Sequence, residues 1–379
     1  MKEVIESIGN EFSGPSPPSI FVGRYGYPKV YTGVLSIPVE VENPGLFDTP
    51  EDWARRGAGI GDVLGMRGML IYSRDVADVR NPGRFVEIQQ ELAMSSRPAE
   101  VEVRLRSKPR FDFGFDLKSS PIGSPGEIEE LKLTENPRVP VKVERVVGDT
   151  DLDATTALSE LYRGGIDVNS LSKILSAGLL GIGRRRKLVP TRWSITATDD
   201  TISKDIIERV KTYPKVNEVS VYTSDYLGNH FEVFLVPGEW SFELMEVKMP
   251  GSVWNITGRR PYITQDWERN WGRSSYAENC GGGYYAARLG AVEHLERIRR
   301  QASVFIYREV RDEYWAPLGV WVVRECVRKA MRSKPKVYPS LEYALNDLRH
   351  RIRMDVKHIS SRSFLLRELR VQRRLKEFL

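Results

Sequence analysis

Three stretches of the chain combine arginine, glycine and aromatic residues, the types that hold phosphate groups and stack on nucleic-acid bases. Residues 13–33 set two cations and several rings among four prolines. Residues 181–201 follow two helix-breaking glycines with a run of four cations, and residues 255–290 mix arginine with tryptophan and tyrosine before a glycine triplet. We expect the turn at 184–187 and the stretch at 259–276 to form one polyanion site. The candidate phosphate or nucleic-acid contacts are Arg24, Lys29, Arg184, Arg185, Arg186, Arg192, Arg259, Arg260, Gly281, Gly282 and Gly283.

Each stretch also has a structural interpretation that the residues alone leave open. The proline-rich loop can pack on its own aromatics, the tryptophans of the third stretch can be core, and a glycine triplet can be only a turn. Asp199 and Asp200 end a predicted strand, 193–200, and precede a predicted helix. As helix caps they need no ligand. As a pair of carboxylates they could instead bridge a metal ion to a nucleotide or DNA phosphate.

Signatures of two large enzyme classes are missing from the sequence. It contains no G-x-x-x-x-G-K-[ST] and no G-x-S-x-G string, which argues against a P-loop ATPase and against a hydrolase nucleophile elbow. Cys280 lies beside the glycine triplet at a predicted helix start, where a thiol pKa can be lowered. A lone cysteine is more often inert packing, so no catalytic residue is assigned and enzymatic activity stays open.

Cysteine and histidine usage argues against a zinc site. Cys280, Cys326 and four scattered histidines cannot easily supply the four closely spaced ligands that structural zinc needs. We expect no zinc, and no other cofactor is assigned. Every apolar run is shorter than the roughly 18 residues of a membrane span. The polar first residues do not form a signal peptide. We therefore expect a cytoplasmic protein with no membrane partner.

The last eight residues, QRRLKEFL, fit the pattern Q-x-x-L-x-x-F-L with which proteins bind the DNA sliding clamp PCNA. Gln372 offers both a donor and an acceptor. A single tight turn would place Leu375, Phe378 and Leu379 on one side, as an apolar plug for a pocket. The surrounding tail is basic, since residues 349–379 hold ten Lys or Arg against three acids while the whole chain carries +6. A local basic patch of this kind is typical of contact with a polyanion such as DNA, and equally of a solvated helix face rich in arginine.

A buried C-terminal helix is the competing interpretation of this tail. Phe364, Val371, Leu375 and Phe378 follow helical spacing, so one long helix could bury that face on its own domain. The glutamine and the terminal Phe-Leu, which a core stripe does not need, favour the clamp-binding hook. We expect residues 364–369 to dock the helix and the last turn to be free.

The spacing of apolar residues predicts a mixed α+β fold with a domain boundary near residue 268. Residues 1–268 are predicted to form a large mixed α/β domain, and residues 269–379 a smaller, mainly helical domain with a free tail. The predicted strands include 101–106, 139–149 and 303–310, with a hairpin at 217–238, and the clearest predicted helix is 84–95.

Long strings in the sequence resemble the NreA family of archaeal DNA repair proteins. They are SPPSIFVGRYGYPKV (16–30), RRRKLVPTRWSITATDDT (184–201) and GGGYYAARLGAVEHLERIRRQASVFIYREV (281–310). The resemblance implies a role in DNA damage repair, an NreA-type N-terminal domain, and a clamp-binding motif at 372–379. Members of that family often begin with a cysteine-rich zinc-finger segment. This sequence has no such cysteines, so a zinc-dependent role is not carried over.

Two other classes of function compete with a DNA-binding repair protein recruited by PCNA. One is a nucleotide-processing enzyme whose phosphates lie on the arginine and glycine turns. The other is a non-catalytic adaptor that joins the clamp to other repair proteins. A deep basic pocket would favour the enzyme, and a flat basic surface would favour DNA binding.

Overall fold

The computed structural model describes residues 2–81, 83–112 and 122–376, with side chains up to Val371. The chain divides into two compact units, here unit 1, which ends at Ile202, and unit 2, which begins at Ser203. The predicted boundary near residue 268 falls inside unit 2. Helices and sheets occur in both units, so the predicted mixed α+β class is confirmed.

Unit 1 combines a β-sheet with helices. Its strands are β1 (Glu11–Ser16), β2 (Ile20–Val22), β3 (Lys29–Ser36), β4 (Ile71–Asp78), β5 (Ala99–Leu105) and β6 (Ser124–Leu133). Its helices are α1 (Lys2–Ser7), α2 (Pro50–Arg56), α3 (Ile60–Gly68), α4 (Arg84–Met94), α5 (Val141–Gly148), α6 (Ala154–Arg163), α7 (Val168–Ser176) and α8 (Thr191–Val210), which continues into unit 2. Within the described residues the strand order is β1-β5-β6-β4-β3-β2.

Local sequence explains much of unit 1. Buried and exposed positions alternate along β5, as expected for a strand with one face on the core. The predicted helix at 84–95 is confirmed by α4, which buries Leu92 against Val101 and Val103. Asp153 and Asp167 cap α6 and α7, because each carboxylate accepts hydrogen bonds from two backbone N–H groups of the first helical turn.

The strand predicted at 139–149 is wrong, because these residues form α5 instead. Val143 and Val146 are buried three positions apart, while Val141 is 79% exposed. The buried positions therefore have helical spacing, although the run of valines resembles a strand.

The strand predicted at 193–200 is also wrong, because α8 begins at Thr191 and continues through the segment. Ser194, Thr198 and Ile202 are buried at four-residue intervals. Two of these three positions carry hydroxyls, so hydrophobic spacing did not reveal the buried face of the helix.

Unit 2 is a second sheet with helices on both faces. Its strands are β7 (Val219–Tyr226), β8 (Asn229–Val236), β9 (Ser241–Lys248), β10 (Tyr262–Glu268), β11 (Ser303–Val310) and β12 (Lys336–Tyr338). Its helices are α9 (Gly282–Ile298), α10 (Trp321–Arg332), α11 (Leu341–Leu348), α12 (Val356–Arg362) and α13 (Phe364–Lys376). Of the helices in the described ranges, none is long and apolar enough to cross a lipid bilayer.

The strand order in unit 2 is β10-β9-β11-β8-β7-β12 for the residues described. The predicted hairpin is confirmed as β7 and β8, joined by Leu227 and Gly228, which both have positive φ as tight hairpin turns require. The predicted strand at 303–310 is confirmed as β11. It lies between the two earlier strands β8 and β9, antiparallel to the first and parallel to the second.

The two faces of this sheet carry different helices. On one face, Tyr284 of α9 contacts Phe242 with ring centroids 5.0 Å apart, and the Ser224 hydroxyl donates to the Cys326 carbonyl oxygen of α10 at 2.8 Å. On the other face, α11, α12 and α13 bury Leu345, Ile359 and Leu366 in one apolar cluster with side chains of the central strands.

A buried carboxylate fixes the start of α13. Glu243 of β9 is fully buried and accepts hydrogen bonds from the Ser363 hydroxyl at 2.7 Å, from Phe364 N at 3.2 Å and from Leu365 N at 2.7 Å. Burial raises the pKa of Glu243, and these hydrogen bonds lower it in part. The carboxylate satisfies N–H groups that a helix start otherwise leaves unpaired.

Replacement of Glu243 by alanine should loosen α13. We expect the free energy of unfolding to fall by about 2 kcal/mol, because buried N–H groups lose a charged acceptor. The matched control is Glu342→Ala, which removes the exposed pair between Glu342 and Arg370 of α13, 3.1 Å apart. Exposed pairs contribute less than about 1 kcal/mol. Denaturant unfolding and hydrogen exchange at Leu365 and Leu366 measure both effects. Equal losses in the two variants would contradict the anchoring role of Glu243.

Candidate nucleic-acid interface

A tight turn in unit 1 presents two exposed rings between β2 and β3. Tyr25 is 73% and Tyr27 39% exposed. Gly26 adopts φ 81° at the centre of the turn, where Lys29 N donates to the Gly26 carbonyl oxygen at 3.0 Å. Gly23 N donates to the Tyr31 carbonyl oxygen at 2.7 Å, which ties the base of the turn to β3. The backbone therefore holds these rings outward on a fixed support.

The segment that leads into α8 is bound to the same turn. Val22 N donates to the Thr191 hydroxyl at 2.9 Å. Val79 joins the two segments a second time. Its N–H donates to the Pro28 carbonyl oxygen at 3.0 Å, and its carbonyl oxygen accepts from Leu188 N at 2.9 Å. As a result Trp193 contacts Tyr27, with ring centroids 5.4 Å apart and ring planes at 50°.

Two sequence stretches that were predicted separately therefore form one surface in unit 1. Lys29, Lys187 and Arg192 are exposed, and none forms an ion pair with any residue that the structure describes. Arg24 lies over the Tyr25 ring at 4.8 Å and donates to its hydroxyl at 2.9 Å. We call the group the ring–cation surface. It consists of Arg24, Tyr25, Tyr27, Lys29, Lys187, Arg192 and Trp193.

The arginine turn divides into exposed and structural members. Arg184 and Arg185 are exposed on a short 3-10 helix, Gly183–Arg185. Arg186 instead points inward, where its guanidinium donates to the carbonyl oxygens of Gly181 at 2.7 Å, Val147 at 2.7 Å and Asp149 at 2.8 Å. Its three nitrogens therefore hold the chain together, and sequence alone could not separate it from its neighbours.

Asp199 and Asp200 lie in the interior of α8, so neither caps a helix start. Asp199 is fully buried. Among the described residues no group of three or more metal-ligating side chains converges, here or elsewhere.

The third predicted stretch lies in unit 2 and is only partly exposed. Arg259 and Arg260 are exposed, and so are Tyr262 and Trp271. Trp267, by contrast, stacks on Phe364 with centroids 3.7 Å apart. Arg269 forms an ion pair with Glu368, and Arg273 pairs with Asp266 at 3.2 Å. The contacts of Trp267 and Arg269 attach α13 to the sheet, whereas Arg273 holds the stretch itself together. Because the stretch and the arginine turn belong to different units, their predicted shared site stays a prediction.

Two buried carboxylates, those of Asp266 and Glu246, lie close to the glycine triplet at the start of α9. Cys280 N donates to an Asp266 carboxylate oxygen at 2.8 Å, and a Cβ on Gly283 would lie 3.2 Å from Glu246 Oε1. Burial, together with Glu246 and Asp266, raises the pKa of the Cys280 thiol. The lowered thiol pKa considered from sequence is thus wrong, because burial first and the two neighbouring carboxylates second disfavour the thiolate.

The structure also contains a charged network that sequence reasoning missed. His230 of β8 is 3% exposed, with Nδ1 2.9 Å from Asp225 and Nε2 3.0 Å from Glu232. Arg351 donates to both oxygens of Glu232, at 2.6 and 2.9 Å. Burial lowers the pKa of His230, but the two carboxylates raise it to about 9. With both ring nitrogens occupied, His230 is a structural cation.

The clamp-binding motif lies at the end of the described chain. Gln372 and Leu375 fall within α13, although their side chains are outside the described set. Phe378 and Leu379 lie outside the described residues. Immediately before the motif, Val371 is 58% exposed.

Two family models cover most of the chain. The model described as "Archaeal Nre, N-terminal" matches residues 1–255, and "Archaeal Nre, C-terminal" matches residues 268–378.

Similar curated proteins carry DNA repair names. "DNA repair protein NreB" of Archaeoglobus fulgidus is 40% identical over 373 residues, which covers 98% of this chain and 93% of that protein. "DNA repair protein NreA" of the same organism is 41% identical over 355 residues, 93% and 88% of the two chains. "DNA repair protein NreA" of Haloferax volcanii is 41% identical over 333 residues, 86% and 79%. No solved structure matches significantly.

Replacement of Arg186 by alanine should destabilise unit 1 by about 1–2 kcal/mol, because three carbonyl oxygens lose a charged donor. Its exposed neighbour provides the control, since Arg185→Ala should change the free energy of unfolding by less than about 0.5 kcal/mol. Urea denaturation measures both variants. A destabilisation by Arg185→Ala as large as that by Arg186→Ala would contradict this division of roles.

The His230 network should make stability depend on pH. A cation whose folded pKa is raised stabilises the fold fully below its unfolded pKa, about 6.5, and this stabilisation is lost as pH rises through the folded pKa of about 9. As pH rises between these two pKa values, the free energy of unfolding of the wild type should fall by up to about 3 kcal/mol relative to that of His230→Gln. Denaturant unfolding at pH 6, 7.5 and 9 tests this, and parallel pH profiles of the two proteins would refute it.

Proposed function

Because the chain belongs to the archaeal Nre family, we propose that it acts in DNA repair and is recruited to DNA by the sliding clamp PCNA through residues 372–379. The resemblance seen in the sequence is thereby confirmed at the level of the family. The names of three relatives support the role in DNA repair. The clamp contact rests on the sequence motif and on the way in which α13 is held.

The single observation that carries the clamp proposal is the exposure of Val371, the last described side chain of α13. Leu365 and Leu366 are 4% and 0% exposed, and Glu243 binds the N–H groups at the helix start. Further along the helix, Arg370 forms an exposed ion pair with Glu342. Val371 is then 58% exposed, one residue before the motif begins. A core helix that buries the stripe of Phe364, Val371, Leu375 and Phe378 would need Val371 covered, so the exposure of Val371 favours a hook over a core helix.

The motif has the chemistry of an anchor in a groove. Its three apolar side chains can fill a surface pocket, while the Gln372 amide can pair with backbone groups at the rim. Arg373 and Arg374 occupy positions that the pattern leaves free, where positive charge accelerates encounter with an acidic partner.

Contact with DNA itself is assigned to the ring–cation surface of unit 1. Lys29, Lys187 and Arg192 of this surface are exposed and form no ion pair among the described residues, so they can neutralise phosphates without breaking internal salt bridges. Two pockets lie elsewhere in unit 1, lined by residues such as Thr32 and Gln89 or Glu11 and Arg104, and neither includes the arginine turn. An open surface of this kind favours DNA binding over a nucleotide pocket.

Double replacement of Phe378 and Leu379 by alanine should weaken PCNA binding at least about 30-fold, because the plug is lost. The free energy of unfolding should change by less than about 0.5 kcal/mol. Val371→Ala is the matched control, since it removes an exposed apolar side chain just outside the motif. Surface plasmon resonance on immobilised clamp and denaturant unfolding provide the two measurements. Large destabilisation with clamp affinity intact would show that the last turn belongs to the core.

A further inference from the structure

The contact between Tyr27 and Trp193 has a geometry that general phosphate binding does not require. Both rings remain exposed, at 39% and 47%, although they touch. Their planes meet at 50°, so each ring covers the other only in part. Apolar rings held at the surface cost free energy, and rings beside unpaired cations are typical of sites where a base stacks.

The support beneath the two rings is fixed before any ligand arrives. Trp193 N donates to the Pro190 carbonyl oxygen at 2.8 Å in the first turn of α8. The Tyr27 turn is joined to the same helix start by the hydrogen bond between Val22 N and the Thr191 hydroxyl, 2.9 Å long. A ligand therefore meets a preorganised pair of rings, which lowers the entropy that binding must overcome.

We propose that the Tyr27–Trp193 pair receives an unpaired base of single-stranded DNA, while Lys29 and Arg192 hold the flanking phosphates. The inference rests on the proposed contact of this surface with DNA. In a duplex the faces of a base are covered by its neighbours, so rings can stack on a base only where the strand is unpaired or opened. The site thus selects single-stranded regions over intact duplex.

The first test compares three oligonucleotides of equal length and charge per strand, by fluorescence anisotropy with the full chain at one salt concentration. They are single-stranded oligothymidylate, the same strand with abasic sugars at its centre, and a duplex. We expect the normal single strand to bind at least about 5-fold more tightly than the abasic strand, the range expected for one stacked base.

Variants then assign the effect to the two rings. Trp193→Ala and Tyr27→Ala should each weaken binding to the normal strand by about 5- to 100-fold and leave binding to the abasic strand nearly unchanged. Trp193→Phe keeps a ring and should retain most of the affinity. Tyr343→Ala removes a ring that is 64% exposed on α11 and serves as the matched control. Quenching of tryptophan fluorescence by the normal strand should be reduced in Trp193→Phe, a readout that mere destabilisation does not imitate.

The outcomes separate this inference from the proposed function. Equal, salt-sensitive binding of normal and abasic strands would overturn the stacking site and leave the DNA contact standing. Binding of no oligonucleotide at low salt would overturn both. Tighter binding to the duplex than to the normal strand would also overturn the preference for unpaired bases.

Discussion

Buried charge governs the construction of unit 2, because an ionised side chain removed from water must be paired or fully hydrogen-bonded. Glu268 of β10 meets Arg288 of α9 at 2.7 Å, and Glu246 of β9 pairs with Arg308 of β11. Glu243 is completed by the first N–H groups of α13. Each of these requirements ties a helix or a strand to the sheet at one place, so the positions at which α9 and α13 pack follow from the charges as much as from the apolar core.

In unit 1 the internal cations are hydrogen-bonded or ion-paired, whereas several exposed cations are not ion-paired with any described residue. Inside, Asp48 accepts from Lys173 at 2.8 Å and pairs with Arg67, and although burial raises the pKa of Asp48, the two cations lower it overall. The Arg186 guanidinium donates hydrogen bonds to three backbone carbonyl oxygens. Lys29 and Arg192, in contrast, have no ion-pair partner in the described part of the chain. A positive charge that has no internal ion pair is available for an external polyanion, whereas the buried cations are already bound inside unit 1.

Sequence reasoning identified the types of residue at this surface but not their juxtaposition. The loop at 13–33 and the segment at 181–201 were recognised separately, and a hydrogen bond between residues 169 positions apart joins them. Regular elements such as α4 and the hairpin β7–β8 followed from periodicity and turn chemistry. The failures at 139–149 and 193–200 arose where β-branched residues occupied a helix, or where hydroxyls occupied its buried face. Long-range packing decides such cases, and local propensity cannot report it.

The position of β11 affects how the protein must be made. Unit 2 places this strand, residues 303–310, between two strands that leave the ribosome much earlier, those at 229–236 and 241–248. Until it emerges, both neighbours have an open edge with unpaired backbone groups, the kind of edge that recruits foreign strands. Nascent chains therefore pass through a period of aggregation risk that ends only when this central strand inserts. A stop codon or a ribosomal stall before residue 310 would leave an adhesive, incomplete sheet rather than a shortened working protein.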